Sequence, residues 1–261
     1  MAKILIGPAG TGGAEIKNFL EIKNQGLDAV EIEFTYGVWM TKEQAIKIKE
    51  ANKKLGLRLS IHAPYFINLN SEDKAKIGAS RQRILKCLEI GHYLGVKNAV
   101  FHAGFYLKDS KEKTFNNIKK QILKIQAEAK QKGWGGVQLS PETTGKPSQF
   151  GDLDEILRLR KETGCSFCID FSHMKARYNG KVNYGEIIKK LKNEKEIHAH
   201  FSGIEYTEKG ERRHIFTSEK EIKELFSRIK NLKAEITIIN ESPDPVGDAL
   251  KMKKILRKNE R

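Results

Sequence analysis

Apolar and polar positions along the chain switch between two rhythms. Short, dense apolar stretches at Ile4–Gly7, Ala29–Phe34, Arg58–His62, Ala99–Ala103, Val137–Glu142, Phe167–Asp170, Ile197–Phe201 and Glu235–Glu241 read as strands. Between them, apolar residues recur at helical spacing over Ala14–Asn24, Lys42–Leu55, Ser71–Leu94, Glu112–Lys132, Leu153–Thr163, Tyr184–Asn193, Glu219–Lys230 and Val246–Arg257. The punctuation agrees. Thr41, with Gln44 three residues on, forms a capping box. Ser71 is read as the next cap, although Lys74 stands where the acid would be. Gly56, Gly95, Gly133 and Gly164 sit just past helix ends, where a left-handed residue is wanted.

Eight strand-then-helix units in 261 residues match the rhythm of an α/β fold closed as a (β/α)8 TIM barrel, in a single domain over 1–261. A doubly wound open sheet is the runner-up, but it would usually need fewer units and a phosphate-binding loop after the first strand. The Gly7–Gly13 loop is glycine-rich, yet it lacks the Lys-Ser/Thr of a P-loop and the spacing of a dinucleotide fingerprint. It reads as a flexible loop able at most to approach a phosphate.

Composition narrows the class. No run of 18 apolar residues exists, so no membrane-spanning helix is expected. The first strand begins almost at once, which leaves no room for a signal peptide. The three cysteines, Cys87, Cys165 and Cys168, are few and odd in number, which points to a reducing, cytoplasmic setting. Cys165 and Cys168 form a CxxC with no second pair, and Cys168 lies in an apolar strand, so packing is the expected role. A net charge of +15 favours a polyanionic partner such as nucleic acid. Lysine-rich helix faces also simply solvate a protein, and a Lys, Glu and Ile bias accompanies life at high temperature.

The chemistry sits at strand ends. Alternate residues of a barrel strand point inward and outward. Leu59 and Ile61, Ala99 and Phe101, Val137 and Leu139, Phe167 and Ile169, and Ile197 and Ala199 form the outward set. Their neighbours His62, His102, Glu142, Asp170 and His200 point in, each at the C-terminal end of its strand. The last strand ends in Glu241. The C-terminal face is where barrel enzymes keep their chemistry. Three carboxylates buried together are costly unless cations neutralise them. Imidazole with carboxylate suits Zn²⁺, Mn²⁺ or Fe²⁺, and the ligands are too many for one tetrahedral site. Two metals sharing bridging carboxylates fit better. His173, in DFSH, and His214, in the long loop after the seventh strand, are placed to hold a third. A metal-free hydrogen-bond network is the alternative. His92 reads as packing or solvent, and His198, one layer below His200, as a hydrogen-bonded interior residue.

Several local stretches, HAPYFINL (62–69), FHAG (101–104), PETTG (141–145), IDFSH (169–173), HFSG (200–203) and NESPD (240–244), together resemble the endonuclease IV family along nearly the whole chain. Those are metal-dependent apurinic/apyrimidinic endonucleases on a xylose-isomerase-like barrel. The resemblance implies a cluster of three zinc ions, and two or three are expected in this chain. His62 and His102 would hold the first, Asp170 and His200 the second, and His173 and His214 the third, with Glu142 and Glu241 bridging and Glu142 orienting the nucleophile. It also implies a double-stranded DNA substrate with abasic sites, incision 5′ to the lesion, and a monomer. Tyr65 and Phe66 would enter the duplex, and Tyr36 or Trp39 would be further wedges or caps of the barrel. If the third metal is absent, Arg212 or Arg213 is placed to stabilise the leaving oxygen.

The match has departures that mark a divergent branch. The family places an aspartate two residues before the histidine matched by His214, and this chain has Arg212 there. A cation at that point would repel a metal, and neither Glu205 nor Glu211 has the right spacing to replace the acid. Ala103 replaces a usual proline, and the first strand lacks the usual histidine after its glycine. Two other readings stay open. Glu142, Asp170, His200 and Glu241 alone resemble the single-metal tetrad of sugar isomerases and epimerases, in which two glutamates exchange a proton beside a carbonyl. A non-catalytic nucleic-acid-binding barrel would bind DNA without turnover.

Overall fold

Parallel strands that are apolar on one face and flanked by amphipathic helices can only bury both faces by wrapping the helices around them. A computed structural model describing residues 2–259 shows this arrangement. In chain order the elements are β1 (Lys3–Pro8), α1 (Ile16–Asn24), β2 (Ala29–Glu33), α2 (Lys42–Leu55), β3 (Arg58–His62) and α3 (Lys74–Leu94). Next come β4 (Asn98–Phe101), α4 (Lys111–Gln131), β5 (Gln138–Pro141), α5 (Leu153–Thr163), β6 (Cys168–Asp170), α6 (Phe171–Arg177) and α7 (Tyr184–Leu191). The chain closes with β7 (Glu196–His200), β8 (Gly203–Thr207), β9 (Gly210–Ile215), α8 (Glu219–Ile229), β10 (Glu235–Asn240) and α9 (Pro245–Asn259).

Two four-stranded parallel sheets, β1-β10-β7-β6 and β2-β3-β4-β5, make the two halves of the TIM barrel. They meet at two seams. At the first, the Asp28 amide donates to Ile6 O at 2.9 Å and the Gly10 amide to Glu31 O at 2.8 Å. This seam needs a glycine, because a Cβ on Gly7 would lie 1.9 Å from Ala29 O. At the second, a parallel bridge joins Glu142 to Cys168 and the Thr143 amide donates to Cys168 O at 3.1 Å. The outer core lies between strands and helices. In α4, for example, Phe115, Ile118, Ile122, Ile125 and Ala129 recur at helical spacing and are all buried. Each large apolar side chain of this kind contributes about 1.5–3 kcal/mol relative to exposure.

The helix punctuation holds with one correction. Thr41 and Gln44 close the capping box, and Gly56, Gly95, Gly133 and Gly164 all have positive φ. Ser71 does not cap α3. The cap is Asp73, whose carboxylate accepts from the Ala75 amide, while the Ser71 hydroxyl accepts from the Asp73 amide just before it. A nearer carboxylate displaces the serine. Two elements were not foreseen: the short helix α6 directly after β6, and the antiparallel hairpin β8–β9 in what reads as a long loop.

Candidate metal centre

Strand register sets the site. Glu33 pairs with His62 across β2 and β3, and Asp170 with His200 across β6 and β7, so these four side chains leave the barrel at one level. His102, Glu142 and Glu241 each follow the last residue of their strand. Asp170 has a second task as the N-cap of α6, its Oδ1 accepting from the amides of Ser172 and His173 at 2.6 and 2.8 Å. That turn carries His173 back over the mouth.

Glu142 is the hub, and it is fully buried. Its Oε2 lies 3.1 Å from His62 Nε2 and 2.9 Å from His102 Nε2. Its Oε1 lies 3.0 Å from His173 Nδ1 and 3.3 Å from His200 Nδ1. His200 Nδ1 is also 3.3 Å from Glu241 Oε2. The ligand atoms form groups within 4.8 Å of one another: His62, His102 and Glu142; Glu142, Asp170, His200 and Glu241; and Asp170, His173 and His214.

The donor set fits divalent cations. Bonds of about 2.0–2.1 Å set neighbouring ligands of a tetrahedral zinc about 3.3 Å apart, which is the spacing found around Glu142. Several of these close atoms make no hydrogen bond although they are buried: Glu142 Oε1, Asp170 Oδ2, His102 Nε2, His200 Nδ1 and Glu241 Oε2. Buried polar atoms are normally paired, so a group of them that converges without pairing marks a place suited to a cation. His62 donates Nδ1–H to Ala63 O at 2.9 Å, which leaves Nε2 to face Glu142.

Without a cation, protons balance these charges. Burial would push His62 down, but Glu33 and Glu142 more than reverse this and raise it to about 10. Burial pushes Glu33 up to about 8, and Asp170 to about 6 with Glu241 and Glu142 adding to the effect. Glu241 is depressed to about 2 because His200 and His214 outweigh its burial. Glu142 is likewise held well below the usual carboxylate range by His102 and His200, against its own burial.

A layer below, Glu31 is fully buried between two imidazoles. Its Oε2 is hydrogen-bonded to His198 Nε2 at 2.7 Å and its Oε1 sits 2.8 Å from His200 Nε2. His198 is therefore a hydrogen-bonded interior residue. Glu31 and Glu33 were missed in the sequence, although both share the inward phase of β2.

The outer part of the mouth departs from expectation. Ser202 Oγ contacts His214 Nδ1 at 2.6 Å, and His214 Nε2 is 4.0 Å from Glu241 Oε2. Arg212 does not stand over the metal position. Arg212 and Arg213 both pair with Glu205, at 2.7 Å each, on the exposed edge of the hairpin, and neither lines the central cleft. Glu211 enters the cleft instead, its Oε2 3.4 Å from His173 Nε2.

The cleft above the ligands encloses about 440 Å³ and is walled in part by Tyr65, Phe105 and Lys146. Around it stand exposed aromatics. Tyr65 and Phe105 line it and are exposed, while Tyr36, 81% exposed, Phe66 and Phe216 are exposed without lining it. Trp39 is exposed too, but it is also pinned: its indole donates to Glu33 O at 2.9 Å and its ring meets Phe34 edge-on at 5.6 Å. Phe105 and Phe216 were not singled out in the sequence. A network behind the cleft fixes the loop after β5. Buried Arg177 donates to the carbonyls of Lys146 and Gln149 at 2.7 and 3.0 Å and to Tyr106 Oη at 3.2 Å.

Comparison with known proteins follows the same lines. A family model described as "Xylose isomerase-like TIM barrel" matches residues 19–259. An uncharacterized protein of Methanocaldococcus jannaschii is 40% identical over 92% of this chain and 91% of its own. A "Probable endonuclease 4" of Aster yellows witches'-broom phytoplasma is 34% identical over 58% of this chain, and the match spans only 55% of that relative's length. Among solved structures, endonuclease IV from Thermus thermophilus superposes with a TM-score of 0.70 at 19% identity, over 98% of this chain and 99% of that one. A "D-tagatose 3-epimerase-like protein" does so with a TM-score of 0.73 at 19% identity, over 98% and 96%. At such identities the two structures speak for the fold alone. The chain belongs to the xylose isomerase-like TIM barrel family, on a branch diverged from its endonuclease 4 relatives.

Proposed function

We propose that the protein is a DNA-repair endonuclease that hydrolyses the phosphodiester 5′ to abasic sites, leaving a 3′-hydroxyl and a 5′-deoxyribose phosphate. The observation that carries this reading is the convergence of two ligand groups on one shared carboxylate, Glu142, beneath a cleft rimmed by exposed aromatics. His62, His102 and Glu142 would hold one cation, and Glu142, Asp170, His200 and Glu241 a second. Zinc-class cations bound there would polarise a phosphoryl oxygen and lower the pKa of water towards ~7. Glu142, pinned among four imidazoles, would orient the attacking water in line with the scissile bond. Tyr65, at the cleft wall, and neighbouring Phe66 would stack against bases opened at the lesion. Lys146, in the loop that Arg177 braces, would contact a flanking phosphate.

A metal-dependent sugar isomerase or epimerase is the second reading. It is favoured by the compact group of Glu142, Asp170, His200 and Glu241, which supplies two glutamates beside one cation site. One experiment separates the two. The metal-loaded protein is incubated with a duplex carrying a single synthetic abasic site, with and without chelator, and in parallel with ketose sugars. Chelator-sensitive incision 5′ to the site supports the nuclease. Intact DNA together with sugar turnover refutes it in favour of the epimerase.

A further inference from the structure

The hairpin β8–β9 carries an irregularity where the chain departs from the endonuclease IV pattern it resembles. Its register pairs Ile204 with His214 and Glu205 with Arg213, then jumps to Tyr206 with Glu211. Arg212 is the extra residue of a β-bulge. A bulge breaks the two-residue alternation of a strand and re-aims the side chains beyond it. Directly paired residues share a face, and Ile204 and Tyr206 lie two apart on one strand. Glu211 therefore faces the same side as His214, although three residues separate them.

The surroundings are built for a carboxylate there. The Glu211 amide donates to Gly145 O at 3.0 Å. A Cβ on Gly145 would stand 2.6 Å from Glu211 Cβ and 2.7 Å from its Oε2, so the glycine leaves the space that Glu211 fills. Gly210, at φ +94°, lets the hairpin turn tightly over this loop, since a Cβ there would strike Gly145 O at 2.4 Å. The Glu211 carboxylate then points at His173, beside the group formed by Asp170, His173 and His214.

We infer that Glu211 is a ligand of a third zinc-class cation, held together with Asp170, His173 and His214. Two imidazoles and two carboxylates make a closed four-ligand shell. The bulge lets Arg212 occupy the usual acid position while its charge is drawn outward by Glu205. The assignment rests on the metal centre described above but not on the substrate.

The test reads metal content, without DNA. Wild type, Glu211→Gln and Arg212→Ala are loaded with zinc, desalted, and measured by elemental mass spectrometry, with folding checked by circular dichroism. Three equivalents are expected in wild type and Arg212→Ala, and two in Glu211→Gln. Glu211→Asp keeps the charge with a shorter reach, and is expected to release one equivalent to a chromogenic chelator about tenfold faster than wild type. A wild type that holds only two equivalents overturns the assignment. So does a Glu211→Gln protein that keeps three with unchanged release. A three-equivalent wild type that leaves abasic DNA intact, with Glu211→Gln holding two, would refute the nuclease reading and leave Glu211 as a ligand; wild-type incision with unaltered metal content in Glu211→Gln would do the reverse.

Discussion

Glu31 touches no part of the cleft, yet Glu31→Gln should weaken the metal centre. One carboxylate oxygen accepts from His198 at 2.7 Å, and the other lies 2.8 Å from His200 Nε2. At that distance a bare imidazole lone pair would repel the carboxylate, so His200 carries its proton on Nε2 and leaves Nδ1 for a cation. Glutamine has one accepting oxygen and one donating NH2. If the NH2 faces His200, Nε2 must accept and Nδ1 takes the proton, which blocks ligation. If it faces His198, that histidine must change tautomer inside a full core. Either route costs about one to two powers of ten in metal affinity, or about 1.4–2.8 kcal/mol for the cation that His200 ligates. Loss of the buried negative charge adds a fall in stability, because an imidazole left without its counter-charge inside a protein typically costs about 3–5 kcal/mol. Competition with a fluorescent zinc chelator gives the affinity, and urea melts of the metal-free protein give the stability. A Glu31→Gln protein within twofold of wild type in zinc affinity would refute the tautomer argument. Unchanged stability alone would refute only the charge argument.

Other outcomes follow from the same site. His62 has a folded pKa raised to about 10 from an ordinary 6.5, and Glu33 one raised to about 8 from 4.5, so each binds more protons when folded. Their contribution to stability is full below the ordinary values and is lost as pH rises through about 8 to 10. The metal-free protein should therefore melt at lower temperature at pH 9 than at pH 7, while the rise in Tm on adding zinc grows over that range; differential scanning calorimetry with and without chelator would detect the opposite trend. Tyr65→Ala and Phe66→Ala should each weaken binding to abasic duplex by about 1–3 kcal/mol and leave zinc content unchanged, as read by fluorescence anisotropy and elemental analysis. Arg177→Met removes donors from the carbonyls of Lys146 and Gln149 and should lower stability by about 1–3 kcal/mol while loosening the loop after β5, seen as faster amide exchange at 144–149.

The barrel was legible because its strands alternate with helices and six of them carry an ionisable residue at the C-terminal end. The predicted Arg58–His62 coincides with β3, and Asp170 and His200 end their strands as expected. The same inward test, applied to Ala29–Phe34, would have exposed Glu31 and Glu33. Their acidic character in an apolar stretch was the available signal. The hairpin was illegible for a different reason. Its sequence, GIEYTEKGERRHI, is mostly polar, so no apolar alternation marks it. Glu211 was out of reach of spacing arguments altogether, since a bulge changes which residues share a face and leaves no trace in a residue count. The cap at Asp73 rather than Ser71 shows a smaller version of this: two good candidates lay close together, and only the geometry of the turn chose between them.

The division of the barrel into two half-rings bears on how it comes apart. His62, His102 and Glu142 come from the half that contains β3, β4 and β5, and Asp170, His200 and Glu241 from the half that contains β6, β7 and β10. Between the halves the backbone ladder is thin, with single bridges at Ala9–Glu31 and Glu142–Cys168. Cations shared across Glu142 would staple the two halves at their open rim, the way a clasp closes a ring already bent into shape. Zinc would then act on the lifetime of the fold more than on its architecture: apolar packing and the strand ladders shape the ring, and the clasp would decide how often its seams part.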